Sequence, residues 1–187
     1  MGTPRSLFVI DALDRVCFMS SAALDLVRGC GGGAWLADVN MGQRIWDSIA
    51  GFENQQLLEL LYDRVRAIAA PLSVSLRCDS NDTRRRASLE LEPLPDSSIR
   101  HWIYVEWSEA RPPTAMLDPQ RKRDARSLNC CTWCKRVQLG IGVWQEVEEA
   151  ETVLGLHAES TLPQLKAAVC TACKQELLRT FPGMKVA

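Results

Sequence analysis

Leu72-Ser73-Val74-Ser75-Leu76-Arg77-Cys78 reads as a β-strand on its own. Leu72, Val74, Leu76 and Cys78 alternate with Ser73, Ser75 and Arg77, and successive side chains on a strand point to opposite faces. Such a strand buries one face and wets the other, the habit of antiparallel sheets. Ser80-Asn81-Asp82-Thr83 is turn-forming text. Alternation resumes in Arg86–Leu91, where Ala87, Leu89 and Leu91 oppose Ser88 and Glu90. In His101–Trp107, Ile103, Val105 and Trp107 fit one side, and Trp102 and Tyr104 the other. A strand that is apolar on both faces is central or covered by a partner.

Upstream of these strands the period changes. Leu57, Leu58, Leu61, Val65 and Ile68 recur at helical spacing. Asn54 is the expected cap, and Pro71 ends the segment after about Ala69. Ile45-Trp46 and Ile49 are expected core anchors in an otherwise irregular stretch. Ser6–Ile10 and Val16–Met19 read as a hairpin. Ser20-Ser21 can cap a helix over Ala22–Val27, which runs into Arg28-Gly29-Cys30-Gly31-Gly32-Gly33. No Lys-Ser/Thr follows that glycine cluster, so it reads as a flexible connection and not as a phosphate loop. Two strands, a helical middle and three strands predict an α+β domain with helices on one face of an antiparallel sheet.

The second chemical signal is Cys131-Thr132-Trp133-Cys134 with Cys170-Thr171-Ala172-Cys173. Each C-x-x-C can place two thiolates on one side of a tight turn, and two such turns make the tetrahedral sulfur cage that zinc prefers. The expected ligands are Cys131, Cys134, Cys170 and Cys173, with Cys130 a possible substitute for its neighbour. A unit of this size needs such a staple. A helix is expected inside the long spacer, with Trp144, Val147, Val153 and Leu154 on its apolar side and Glu146, Glu148, Glu149 and Glu151 on a solvated face. A last helix over about Ala172–Thr180 packs Leu177 and Leu178. The domains are then 1–110, a polar linker over 111–128 with helical character toward its end, and a helical cysteine module over 129–187.

A chain of 187 residues with net charge −1 makes no global case for nucleic acid or an anionic membrane. No apolar run approaches the ~20 residues that span a bilayer, and Asp11 comes too early for a signal peptide. A cytoplasmic location is expected, with Cys17, Cys30 and Cys78 as small core residues and not as disulfides. His101 and His157 lie in different units with no nucleophile beside either, so no enzyme activity is expected.

The element order over Ser6–Glu109, with Ile45-Trp46-Asp47-Ser48-Ile49 and Arg77-Cys78-Asp79-Ser80, resembles a PAS domain of small bacterial sensors. The text C-x-W-C-K-R, then W-x-x-V-E, then C-x-x-C-x-x-x-L over Leu128–Leu178 is similar to a cysteine module at the ends of PAS-containing signalling proteins. That family commonly has Thr-His-Gly before the second C-x-x-C, where this chain has Lys166-Ala167-Ala168. The resemblance implies a cytoplasmic signalling or regulatory protein that senses a small molecule of unknown identity or docks a protein. It would act through a partner or as a homodimer, with Trp102 and Tyr104 on the pairing face. The long helix lacks the histidine a haem would need. Two alternatives remain: a zinc-containing nucleic-acid-associated regulator using Arg121, Lys122 and Arg123, and a thiol-redox sensor.

Overall fold

A computed structural model describes residues 6–30 and 39–181. The flexible connection expected at Gly31-Gly32-Gly33 lies outside the described residues.

Five antiparallel strands form the first sheet: β1 Ser6–Ile10, β2 Val16–Met19, β3 Leu72–Arg77, β4 Thr83–Pro93 and β5 Ile99–Ala110, in the order β2-β1-β5-β4-β3. The period-two reading sets the register. Leu72 faces Leu91, Val74 faces Leu89 and Leu76 faces Ala87, so apolar residues pair on one face. β5 is central, between β1 and β4, as its two apolar faces require. A register shift beside Arg86 and Ala87 breaks the alternation of β5. Trp107 therefore sits opposite Arg86 and is 50% exposed, not inside with Ile103 as its spacing suggested.

Two helices accompany this sheet: α1 Ser21–Gly29 and α2 Phe52–Ile68. Ser20 caps α1, its hydroxyl accepting from the Ala23 amide at 3.2 Å. Leu57, Leu58, Leu61, Tyr62 and Val65 of α2 are buried against Val74, Leu89, Leu91 and Ile103, and Ile45 and Ile49 close the core. Ile68 falls past the end of the buried stripe and is exposed. Asn54 is not the cap: Gly51 holds that place at φ +85°, and Asn54 is buried in the first turn.

His101 lies wholly inside this core, stacked on Phe8, with Nε2 2.8 Å from the Tyr62 hydroxyl. Burial pushes its pKa down to about 3. Backbone carbonyls of Ile99 and Phe8 oppose the shift, and Arg66, itself paired with Asp14, adds to it. The folded state thus binds fewer protons than the unfolded chain, whose histidine titrates near 6.5. Stability is full above that value and falls as pH drops toward 3. Between pH 7 and pH 5 this one group is expected to cost about 2 kcal/mol. Urea midpoints at the two pH values should show that loss in the parent and not in His101→Gln.

Three cysteines differ from expectation. Cys30 at the end of α1 is disulfide-bonded to Cys78 after β3, with Cα atoms 5.2 Å apart, and Cys17 is exposed on β2. The apolar surroundings in sequence gave no sign that α1 ends against β3.

The second sheet has the order β8-β7-β6-β9, from β6 Arg123–Cys131, β7 Val137–Gly140, β8 Val143–Gln145 and β9 Leu162–Ala168. Helix α3 Val147–Val153 crosses between, and α4 Thr171–Thr180 follows. The helical module expected from sequence is corrected to a mixed sheet, and the end of the expected linker is strand β6. The reason is pairing. β6 and β9 run parallel, Ser127 opposite Gln164 through Cys131 opposite Ala168, so each supplies the other's hydrogen bonds despite weak strand patterning. Pro163, which has no amide to donate, sits where the pairing is interrupted between Arg123 and Ser127. A small separate core of Met116, Leu117, Cys130, Val137, Val147, Ala150, Leu156 and Leu162 fills the far side of this sheet.

The two sheets are joined through one core, in which Cys131, Trp133, Val169, Cys170, Leu177 and Phe181 pack with the residues of α2 and the first sheet. At Gly51 the backbones nearly touch: a Cβ there would lie 2.8 Å from the Ala167 carbonyl oxygen. Gly51→Ala is expected to destabilise by about 1–3 kcal/mol. Gly142→Ala has a similar φ of +73° and open space around it, so the difference between their urea midpoints isolates the close approach.

Candidate metal centre

The four sulfurs of Cys131, Cys134, Cys170 and Cys173 lie within 4.8 Å of one another. Four thiolates around zinc at about 2.3 Å have sulfurs about 3.8 Å apart, and Cys134 Sγ is 3.6 Å from Cys170 Sγ. The donor set and spacing fit a closed tetrahedral ion.

Local chemistry builds the cluster. Cys131 ends β6, and the chain turns through Lys135 in the left-handed region at φ 62°. The Lys135 amide returns to the Cys131 carbonyl at 2.9 Å, and the Cys131 amide donates to the Arg136 carbonyl at 2.8 Å. Cys170 is the N-cap of α4, which puts Cys173 in the first turn. The Cys173 amide donates to Cys170 Sγ at 3.4 Å, and the Cys170 amide donates to Cys131 Sγ at 3.3 Å. Backbone donors and the positive end of α4 therefore meet developing thiolates. Hydrogen bonding from Cys134 brings the Cys131 thiol down, and that from Cys131 lowers Cys170 further. The same neighbours hold Cys134 and Cys173 up. A cation in the centre removes that conflict.

Cys130 and Cys131 are adjacent on β6, so their side chains take opposite faces. Cys131 joins the cluster. Cys130 enters the separate core with Val137 and Leu162, and burial pushes its thiol up to about 11.

Trp133 is the tip of the Cys131–Cys134 turn, and its placement was not legible in the motif. It is 6% exposed and packs into the core with Leu58, Leu76 and Leu89, where about 10 Å³ of free space remains. Its indole N–H donates to Asn54 Oδ1 at 2.9 Å, and its carbonyl accepts from the Arg77 amide at 2.8 Å.

Of the acidic segment only Glu149 is exposed as expected of a solvated face; the other three glutamates are engaged. Glu146 pairs with Arg77 and Arg136, and Glu148 with Arg84 and Arg111. Glu151 is buried and accepts from the Ala115 and Met116 amides at 3.1 Å; exposed His157 lies 3.0 Å from it. Asp79 is 0% exposed and collects Arg77, Arg111 at 3.3 Å and the Arg85 amide at 3.1 Å. These residues form a charged seam between the two sheets.

Trp102 and Tyr104 lie together on the outer face of the first sheet, ring centroids 6.5 Å apart and half-buried. Each donates to a carboxylate of β4, Trp102 to Glu92 at 3.1 Å and Tyr104 to Glu90 at 3.0 Å. Two members of the basic run are engaged within the chain, Arg121 with the Glu159 carbonyl and Arg123 with the carbonyls of Met116, Asp118 and Pro163, while Lys122 is exposed. No described helix is long and apolar enough to cross a membrane. No family model, curated protein or solved structure matches the chain.

Proposed function

We propose that this chain is a signalling or regulatory protein, with a PAS-like sheet domain and a zinc-stapled second unit working as one docking body. It acts through a protein partner or by dimerising, not by catalysis. The observation that carries the reading is Trp133. Its ring fills the space between α2 and the first sheet, the place a small sensed molecule would need. That favours docking over ligand sensing. The strand order β2-β1-β5-β4-β3 with a helical middle supports the PAS-like assignment. A four-cysteine cluster with every thiol committed supports zinc in a structural role, because such a site keeps no open position for substrate. The half-buried Trp102–Tyr104 pair, with exposed Phe18 on β2, offers the aromatic surface that interfaces use.

Native mass spectrometry of protein purified without added metal or chelator tests this directly. One zinc per chain and a dimer, or a stable complex with a captured partner, is expected. A retained organic mass at one per chain would replace docking with ligand sensing. A folded, metal-free chain would remove the zinc staple.

A further inference from the structure

We propose that the free edge of β3 is a docking site for an extended acidic peptide, which adds to the first sheet beside α4. The edge lies two strands away from the Trp102–Tyr104 pair on the same sheet: Ser73 is opposite Glu90, itself opposite Trp102, and Ser75 is opposite Ser88, itself opposite Tyr104.

Among the described residues, β3 ends the sheet order and pairs with β4 alone. Hydrogen-bonding direction alternates along an edge strand. The Arg77 amide points away from β4, because it donates to the Trp133 carbonyl, whereas the next amide, Cys78, donates back to Arg85. By the same alternation, the backbone groups of Ser73 and Ser75 face outward with Arg77. No partner for the Ser73 or Ser75 amide is found among the described residues. Both residues are small and exposed, so another backbone can approach. Within 72–77 the strand carries no proline, lysine or bulge, and the Cys131–Cys134 turn caps its edge only at Arg77 among the described residues. Trp133 thus makes the first bond of a sixth strand, and Ser75 and Ser73 are placed to make the next ones.

A trench accompanies this edge. One part, about 330 Å³, runs between Ser73, Ser75 and the α4 stripe of Cys173, Glu176, Leu177 and Thr180. The other, about 740 Å³, opens past Trp133 onto Arg84, Arg85, Arg86 and Trp107. Ser75, Arg86, Trp133 and Cys173 line both, so the two parts are continuous. Charge selects the occupant. Arg77, Arg84, Arg85 and Arg86 border the trench against Glu106 and Glu176. Arg77 and Arg84 are engaged in the charged seam. Among the described residues Arg86 has only a long 3.5 Å pair with Glu106 and is 64% exposed, and Arg85 reaches a carbonyl at 3.4 Å. Main-chain bonds would supply affinity and these arginines the preference for carboxylates.

The test uses the full-length protein and a blocked octapeptide of alternating Thr, Val and Glu, with its lysine counterpart as comparison. Tryptophan fluorescence gives affinity, and amide hydrogen exchange at Ser73 and Ser75 gives location. Saturable binding of the acidic peptide, with slowed exchange at both amides and at least tenfold weaker binding of the lysine peptide, is expected. Ser75→Pro removes an outward amide, and Arg86→Glu reverses an exposed charge; each should weaken binding at least tenfold. If the proline variant does not fold, Arg86→Glu decides. Equal binding of the two peptides, or unchanged exchange at Ser73 and Ser75, overturns the proposal. So does concentration-dependent protection without peptide, which would give the edge to a second copy of the chain. Native mass spectrometry reports the docking body as a whole, so its failure and the failure of this edge are distinguishable.

Discussion

Removal of the proposed zinc by a chelator is expected to unfold the second unit and take the first sheet with it. Structural zinc binding contributes on the order of 10–16 kcal/mol in small modules. A whole domain is stable by only about 5–15 kcal/mol. Cys131 and Cys170 belong to the same buried cluster as Leu58, Leu61 and Leu89, so collapse of the cage exposes a core that both sheets share. One cooperative thermal transition is expected with metal bound. After chelation, most far-UV dichroism should be lost and one equivalent of zinc should appear in a dye assay. Cys134→Ser should behave like chelation, because three thiolates leave the tetrahedron open. Cys130→Ser should retain stoichiometric zinc and lose only packing, since its side chain is in the other core. A chelated protein with an unchanged melting temperature would refute the staple.

Trp133→Ala carries the second large effect, a loss of about 3–5 kcal/mol. The ring is nearly fully buried at the junction of α2, β3 and β4, so its removal leaves a large gap in the shared core. Trp133→Phe keeps part of the ring but removes the donor to Asn54 Oδ1. Asn54 is fully buried, and its other amide atom is committed to the Ala50 carbonyl at 3.2 Å. An orphaned buried acceptor costs about 1–3 kcal/mol. Urea unfolding of Trp133→Phe, Asn54→Ala and the double variant should show coupling, because removing both partners spares that penalty. Trp133→Ala with a loss below about 1 kcal/mol would mean that the junction does not depend on this ring.

Local patterns told much of the first sheet. The alternation in Leu72–Cys78 and Arg86–Leu91 became the β3–β4 register, and the stripe from Leu57 to Val65 became the buried face of α2. Ser20 could be read as a cap because a hydroxyl before an apolar helical run has one common use. The C-x-x-C pairs identified the four clustered thiols by spacing alone. Other features had no local signal. β6 is mostly polar and β9 contains a proline; each is a strand because the other lies parallel to it across a long connection. The glutamates from Glu146 to Glu151 have the composition of a wet surface, yet three of them meet cations or amides brought from elsewhere.

The sequence by itself determined which residues alternate, which recur at helical spacing and which four thiols can share a metal. Those properties depend on neighbours a few positions away. Tertiary structure alone decided that Cys30 meets Cys78, that Trp133 enters the first core and that Cys130 and Cys131 part company. Each of these depends on two distant surfaces meeting, and a residue's type does not specify the surface opposite it. Gly51 shows the same division: its glycine is visible in the sequence, but the Ala167 carbonyl that requires it is 116 positions away.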